Sequence, residues 1–119
     1  GTSQGVPVIG CDCETCRSTD PRDKRLRVAA HFRSRNTSVV VDAGPDFRQQ
    51  MLTNEIKWLD ALLVTHEHND HIAGLDDLRT FCFRQRAEIP VFALPRVVTQ
   101  IKERFAYAFI QSSQESLSA

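Results

Sequence analysis

The feature that most constrains this chain is an apolar run, Ala61-Leu62-Leu63-Val64-Thr65, that passes without a break into His66-Glu67-His68-Asn69-Asp70-His71. A short apolar run of this length reads as a buried strand. A buried strand that ends in three imidazoles and a carboxylate sets a polar site on the rim of a hydrophobic core. Neutral imidazole is a strong ligand for zinc and similar ions, and a carboxylate adds charge neutralisation. His66 and His68 lie two apart, so on an extended backbone both can point to one side. Asp70 and His71 then turn the chain toward a second metal position. The plain alternative is a polar loop with incidental histidines, but all except one of the 4 histidines fall in this run. That clustering selects metal binding.

The rest of the chain supplies a frame for such a site. Residues 26–32 (LRVAAHF) read as a strand with Leu26, Val28 and Ala30 on one face, and 38–42 (SVVVD) as a clearer, buried one. Asp42-Ala43-Gly44-Pro45 is a sharp turn. Asp46 is placed to cap a helix over 47–53, with Phe47, Gln50 and Met51 on one face. Ile72, Leu75, Leu78 and Cys82 recur at helical steps and predict a helix from Ile72 to about Arg86. A short strand over 90–94 follows. Pro95 then opens a last helix with Val97, Val98, Ile101, Phe105 and Phe109 as its stripe. Residues 112–119 are a polar tail. Strands alternating with helices imply a layered α/β architecture. Three or four strands are less sheet than a complete domain of this kind would bury. Strands 38–42 and 61–65 are apolar enough to want cover on both faces.

Composition narrows the partners. The 119 residues suit one domain, and 41% hydrophobic with 25% charged is an ordinary globular balance. Lys+Arg and Asp+Glu are both 15, so no global basic field draws nucleic acid. Arg17, Arg22, Lys24, Arg25 and Arg27 fall close together, but no aromatics interleave for base stacking, and the segment reads as a solvated loop. No apolar run approaches the roughly 20 residues that span a bilayer. No charged start leads into an apolar core as in a signal peptide. Three of the 4 cysteines crowd into positions 11–16, which suits a metal site better than a disulfide framework and points to a reducing cytoplasm.

The H-x-H-x-D-H pattern after a short hydrophobic strand resembles the metallo-β-lactamase superfamily of hydrolases. The resemblance implies an αββα sandwich, with residues 1–119 as a single partial domain, its N-terminal half. It implies that His66 and His68 hold a first metal, that Asp70 and His71 hold a second, and that Asp70 also has a catalytic role in orienting the attacking hydroxide. Asp42, at the end of VVVDAG, is similar to the acid that supports the histidine loop in that family; read alone, it is equally a turn acid or helix cap. GTSQGVPVIGCDCETC, DAGPDFR and GLDDLR together resemble the branch containing the cyclic ribosyl phosphate phosphodiesterase of phosphonate breakdown, which is itself similar to the transfer-RNA 3′-processing nucleases. That branch implies a small-molecule phosphodiester substrate, cyclic nucleotide-like or ribosyl, and two zinc or manganese ions. The same scaffold also carries thioester, lactone and β-lactam hydrolases, which the metal motif does not separate.

The departures carry weight too. The family begins with a strand before the GTS turn, which here is residue 1. It draws a third histidine for the first metal, a bridging aspartate and a last histidine from far downstream, and this chain has no histidine after His71. The expectation is a fragment, inactive alone, that associates with a second copy or with the missing half.

Cys11, Cys13 and Cys16 offer three thiolates where a structural zinc wants four protein ligands. His31 and Cys82 are the candidates within the chain for the fourth; the family resemblance implies instead a histidine near the far C-terminus. A disulfide at such close spacing is strained and leaves an odd cysteine. Cys82, on an apolar helical stripe, reads as core, and His31 as a strand residue. Arg79 and Arg84 read as a solvated helix face, with phosphate contact as the alternative.

Overall fold

The computed structural model describes residues 2–109; the polar tail expected over 112–119 lies outside the described residues. Four strands form one sheet in the order β1 (Ala30–Arg33), β2 (Ser38–Val41), β3 (Ala61–Leu63) and β4 (Val91–Phe92). The first pair is antiparallel, and β2, β3 and β4 run parallel. Helices α2 (Phe47–Thr53), α3 (Asn69–Ile72), α4 (Leu78–Gln85) and α5 (Pro95–Arg104) connect or follow the parallel strands, and a one-turn helix, α1 (Glu14–Arg17), follows the cysteine-bearing N-terminal loop.

Period-two alternation decides which side of the sheet is covered. Val40 and Leu62, in register on β2 and β3, are fully buried. They meet Phe47, Ile72, Val97 and Ile101 from the helices, and Phe47 packs edge-on against Phe81 at 6.2 Å. The opposite face carries Ala30, Val41, Leu63 and Phe92 in one register row. There Leu63 and Phe92 remain 39% and 56% exposed, so among the described residues the cover that these apolar strands call for is present on one face only.

Several elements are shorter than their sequence patterns. The first strand begins at Ala30, not Leu26, and is exposed throughout, with Leu26 and Val28 lying outside it. Being an edge strand with open faces, it gains nothing from a long apolar register. Strand 61–65 ends at Leu63, where Val64 and Thr65 leave the ladder toward the histidine loop, and 90–94 contracts to two residues. The helix expected from Ile72 to Arg86 divides into α3, a 3-10 turn at Leu75–Asp77 and α4, because Gly74 passes against Gly44 and Ala43 and bonds the Ala43 carbonyl. Its apolar stripe is nonetheless buried as read: Ile72, Leu75, Leu78 and Cys82 all join the core. The helix closes at Arg86, in the left-handed region.

Asp46 is not a side-chain cap of α2. Its carboxylate instead accepts the Arg27 amide at 2.8 Å and pairs with the Arg27 guanidinium at 3.2 Å. The stripe of α5 stops at Phe105; Phe109 lies beyond the helix and is exposed. Within the basic segment Arg22 pairs with Asp20 at 2.8 Å, while Lys24 donates to the Ser18 carbonyl at 2.6 Å.

Candidate metal centre

Parallel strands deliver their C-terminal ends to one edge of a sheet, where sites in such folds gather. Here β2 ends into Asp42 and β3 into Thr65 and His66, with Val41 and Leu63 in register just before them. Asp42 is therefore beside the start of the histidine loop by topology alone. It is 4% exposed and holds φ +66°, a left-handed conformation costly for any residue with a Cβ. Its side chain accounts for that strain. Oδ1 accepts the Thr65 amide at 2.8 Å, and Oδ2 accepts the Thr65 hydroxyl at 2.8 Å and His71 Nδ1 at 2.7 Å.

These contacts set the ring tautomers. A carboxylate only accepts, so His71 donates from Nδ1 and the lone pair of its neutral ring sits on Nε2. Thr65 gives its one hydroxyl proton to Asp42, so its 2.9 Å contact with His66 Nδ1 requires that nitrogen to donate. His66 likewise keeps its lone pair on Nε2. An acid chain behind the imidazoles is the arrangement that orients metal-binding histidines.

The loop's front side is consistent with a cation. His71 Nε2 lies 3.3 Å from Asp70 Oδ2, two electron-rich atoms that repel unless a ring proton or a metal ion intervenes. The His66 ring stands 4.0 Å from that of His71 and 4.6 Å from that of His68, centroid to centroid. His66, His68, Asp70 and His71 are thus brought together at one edge, and the residues fit a divalent ion by donor type, with Nε2 of His66 and of His71 free of protein hydrogen-bond donors among the described residues. Gly44 locks the arrangement from below. A Cβ there would run into the Asp70 carbonyl, while the Ala43 amide donates to the His71 carbonyl at 2.9 Å.

Glu67, between His66 and His68 in the chain, is held by two arginines of α5. Arg96 Nη1 reaches both of its carboxylate oxygens at 2.8 and 2.9 Å, and Arg104 Nη1 donates to its backbone carbonyl at 2.7 Å. Glu67's own amide, and after it Arg96 and His68, hold its carboxyl below the usual range against a smaller opposing effect of burial. Thr65, Arg96 and Arg104 were not singled out by the sequence. For Glu67 the available signal was alternation, which on an extended backbone sets it opposite His66 and His68.

The cysteines form a second cluster. The Sγ atoms of Cys11, Cys13 and Cys16 all lie within 4.8 Å of one another. The Cys16 amide, and then the neighbouring thiols, lower the Cys13 thiol. The Val8 amide draws the Cys16 thiol down, but the adjacent Cys11 and Cys13 outweigh it and leave Cys16 raised. Among the described residues no other group of three closes to that spread, so the histidine loop is the looser of the two. Neither in-chain candidate completes the cysteine set. Cys82 is in the core, 1% exposed, and His31 Nε2 is bonded to Ser38 Oγ at 2.8 Å. Arg79 and Arg84 are exposed.

A family model, the beta-lactamase superfamily domain, matches residues 37–118. The chain belongs to that superfamily. Among relatives of the superfamily chain, an octanoyltransferase of Porphyromonas gingivalis is 47% identical over 110 residues, covering 92% of this chain and 22% of that protein. Octanoyl transfer is a different activity from hydrolysis, and about four-fifths of that protein lies outside the match. A solved diphosphatase of the PhnP family aligns with TM-score 0.84 and 44% identity over 93% of this chain and 45% of its own. Zn2+-bound PqqB from Methylobacterium extorquens aligns at 0.68 and 24% over 84% of this chain and 36% of its own, which shows the shared fold. The α/β fold is thus of the metallo-β-lactamase type, and the chain spans less than half the length of the relatives it matches.

Proposed function

We propose that this superfamily chain contributes the metal-binding edge of a phosphoester hydrolase, with His66 and His68 serving one divalent ion and Asp70 and His71 a second. The observation that carries the reading is the Asp42 carboxylate, which by holding His71 Nδ1 and, through Thr65, His66 Nδ1 leaves both Nε2 atoms open as ligands. Zinc and manganese both accept this nitrogen and oxygen donor set. When bound, a pair of such ions supplies Lewis acidity at the phosphorus and a hydroxide at neutral pH. Asp70 orients that nucleophile through its carboxylate. Asp42 keeps the rings fixed, so little reorganisation attends the reaction. A diphosphatase of the PhnP family among the structural neighbours favours chemistry at phosphorus over thioesters, lactones and β-lactams, and the sequence resemblance extends this to a phosphodiester of cyclic nucleotide-like or ribosyl type.

Cys11, Cys13 and Cys16 form a structural zinc site whose fourth ligand lies outside the described residues of this chain. The thiols favour a reducing compartment such as the cytoplasm, and among the described residues no helix is long and apolar enough to cross a membrane. The open sheet face with Leu63 and Phe92 favours association with a second copy or with further sheet of the same fold. Two ligands per ion hold a metal loosely, since a catalytic zinc usually keeps about three. The test is hydrolysis of bis-p-nitrophenyl phosphate with zinc, manganese or cobalt, alongside light scattering. These 119 residues alone should show association and no metal-dependent turnover. A monodisperse 13.5 kDa monomer whose turnover is abolished by His68→Ala would overturn the ligand accounting.

A further inference from the structure

We infer that Arg96 and Arg104, at opposite ends of α5, are positioning residues that fix the metal loop by clasping Glu67. The inference rests on the reading of His66 and His68 as ligands. Three observations carry it. First, Glu67 lies between the two histidines, and backbone alternation sends its side chain away from theirs. Any force on Glu67 is therefore transmitted to both imidazoles through a single peptide unit on each side. Second, the grip is double. Arg96 takes both carboxylate oxygens and Arg104 takes the main-chain carbonyl, so side chain and backbone of one residue are held at once. Third, the helix bearing the arginines is itself anchored, because Val97 and Ile101 are buried in the core at 0% and 2% exposure. A clasp on a frayed or drifting helix would position nothing.

The grip has a second consequence. A carboxylate flanked by two imidazole ligands is a competing oxygen donor for any ion they bind. Pairing with Arg96 occupies both Glu67 oxygens on the far side, and so keeps the ion on the face shared with Asp70 and His71. Arg96 is 64% exposed at its side chain, which would make an isolated ion pair worth little to stability. Its contribution falls on the loop's geometry more than on the fold.

The experiment is a manganese titration of the full 119-residue chain, read from the loss of the free-ion signal in electron paramagnetic resonance. Manganese favours nitrogen and oxygen donors over thiolates, so the cysteine cluster interferes little. Arg96→Ala/Arg104→Ala should weaken binding about tenfold, the lower end for residues that orient ligands, and should alter the line shape of the bound ion. Arg96→Lys in the presence of native Arg104 should restore most of the affinity, since the charge on Glu67 is again met. His68→Ala is the control for the metal loop itself. If it weakens binding while the double arginine variant binds as the unaltered chain does, with the same line shape, the clasp is wrong. If His68→Ala leaves binding unchanged, the ligand reading fails and the clasp with it. Should the double variant lose its circular dichroism, Glu67→Ala removes the gripped carboxylate from a half-buried position in the loop. It should weaken manganese binding in the same direction, and unchanged binding there would refute the clasp.

Discussion

Replacing Asp42 separates its two duties, holding the fold and setting the ring tautomers. Asp42→Ala removes an acceptor of three hydrogen bonds, from the Thr65 amide, the Thr65 hydroxyl and His71 Nδ1. Bonds to a charged group are each worth about 1.5–3 kcal/mol, and since Thr65 is exposed its donors can turn to water once the carboxylate is gone. At the low end of that range the loss is about 4–5 kcal/mol, a large share of the stability of a small domain. Asp42→Gly should be about 1 kcal/mol less damaging, because glycine meets no penalty at φ +66°. Asp42→Asn is the informative variant. Asparagine tolerates the left-handed region, and its oxygen can still accept the Thr65 amide. Its NH2 group then occupies the place of Oδ2 and donates toward His71 Nδ1. That reverses the tautomer, puts the ring proton on Nε2 and points it at Asp70, closing the position a metal would take. Asp42→Asn should therefore stay folded in urea titrations at a cost of about 1–2 kcal/mol. It should lose manganese or zinc affinity by about 10–100-fold, or about 1.4–2.7 kcal/mol. Metal binding equal to the unaltered chain, in a folded Asp42→Asn protein, would refute the tautomer argument.

Two further outcomes follow from local geometry. Gly44→Ala drives a methyl into the Asp70 carbonyl, so the DAG turn and the histidine loop must part; thermal unfolding should register a loss of about 1–3 kcal/mol, and an unaffected midpoint would contradict the contact. In thiol titration Cys82 should react last, because burial raises its thiol, while Cys11, Cys13 and Cys16 react readily without zinc and are shielded with it; equal reactivity of those three with and without zinc would remove the structural site.

How much of this was legible in the sequence follows from what each signal depends on. The strand of 38–42 and the buried run before His66 were readable because core burial imposes an apolar pattern on the chain itself. The grouping of His66, His68, Asp70 and His71 was readable because ligand chemistry admits few residue types, and the structure sets the three rings and the carboxylate side by side. The strand over 26–32 was overestimated, since alternation in an edge segment need not mean burial. The break at Gly74 was missed because it arises from a contact with Gly44, thirty residues away in sequence, which no local period encodes. Asp46 illustrates the same limit: its capping position is real, but Arg27 competes for the carboxylate. Asp42 looked as much like a turn acid as a support for the loop, and only the fold, by ending β2 and β3 at one edge, decided between them. Glu67 with Arg96 and Arg104 left no pattern, because a clasp between a loop and a distant helix is tertiary by nature.

The central claim is that the loop after β3 is a metal site, and an anomalous difference map tests it most directly. Crystals of this chain soaked in zinc or manganese should show peaks beside His66 and His68 and beside Asp70 and His71, and the peak beside His66 and His68 should vanish in His66→Ala/His68→Ala. In the zinc soak, density at Cys11, Cys13 and Cys16 reports that the ion has entered the crystal. A zinc peak at the cysteines with none near the histidine loop would contradict the account.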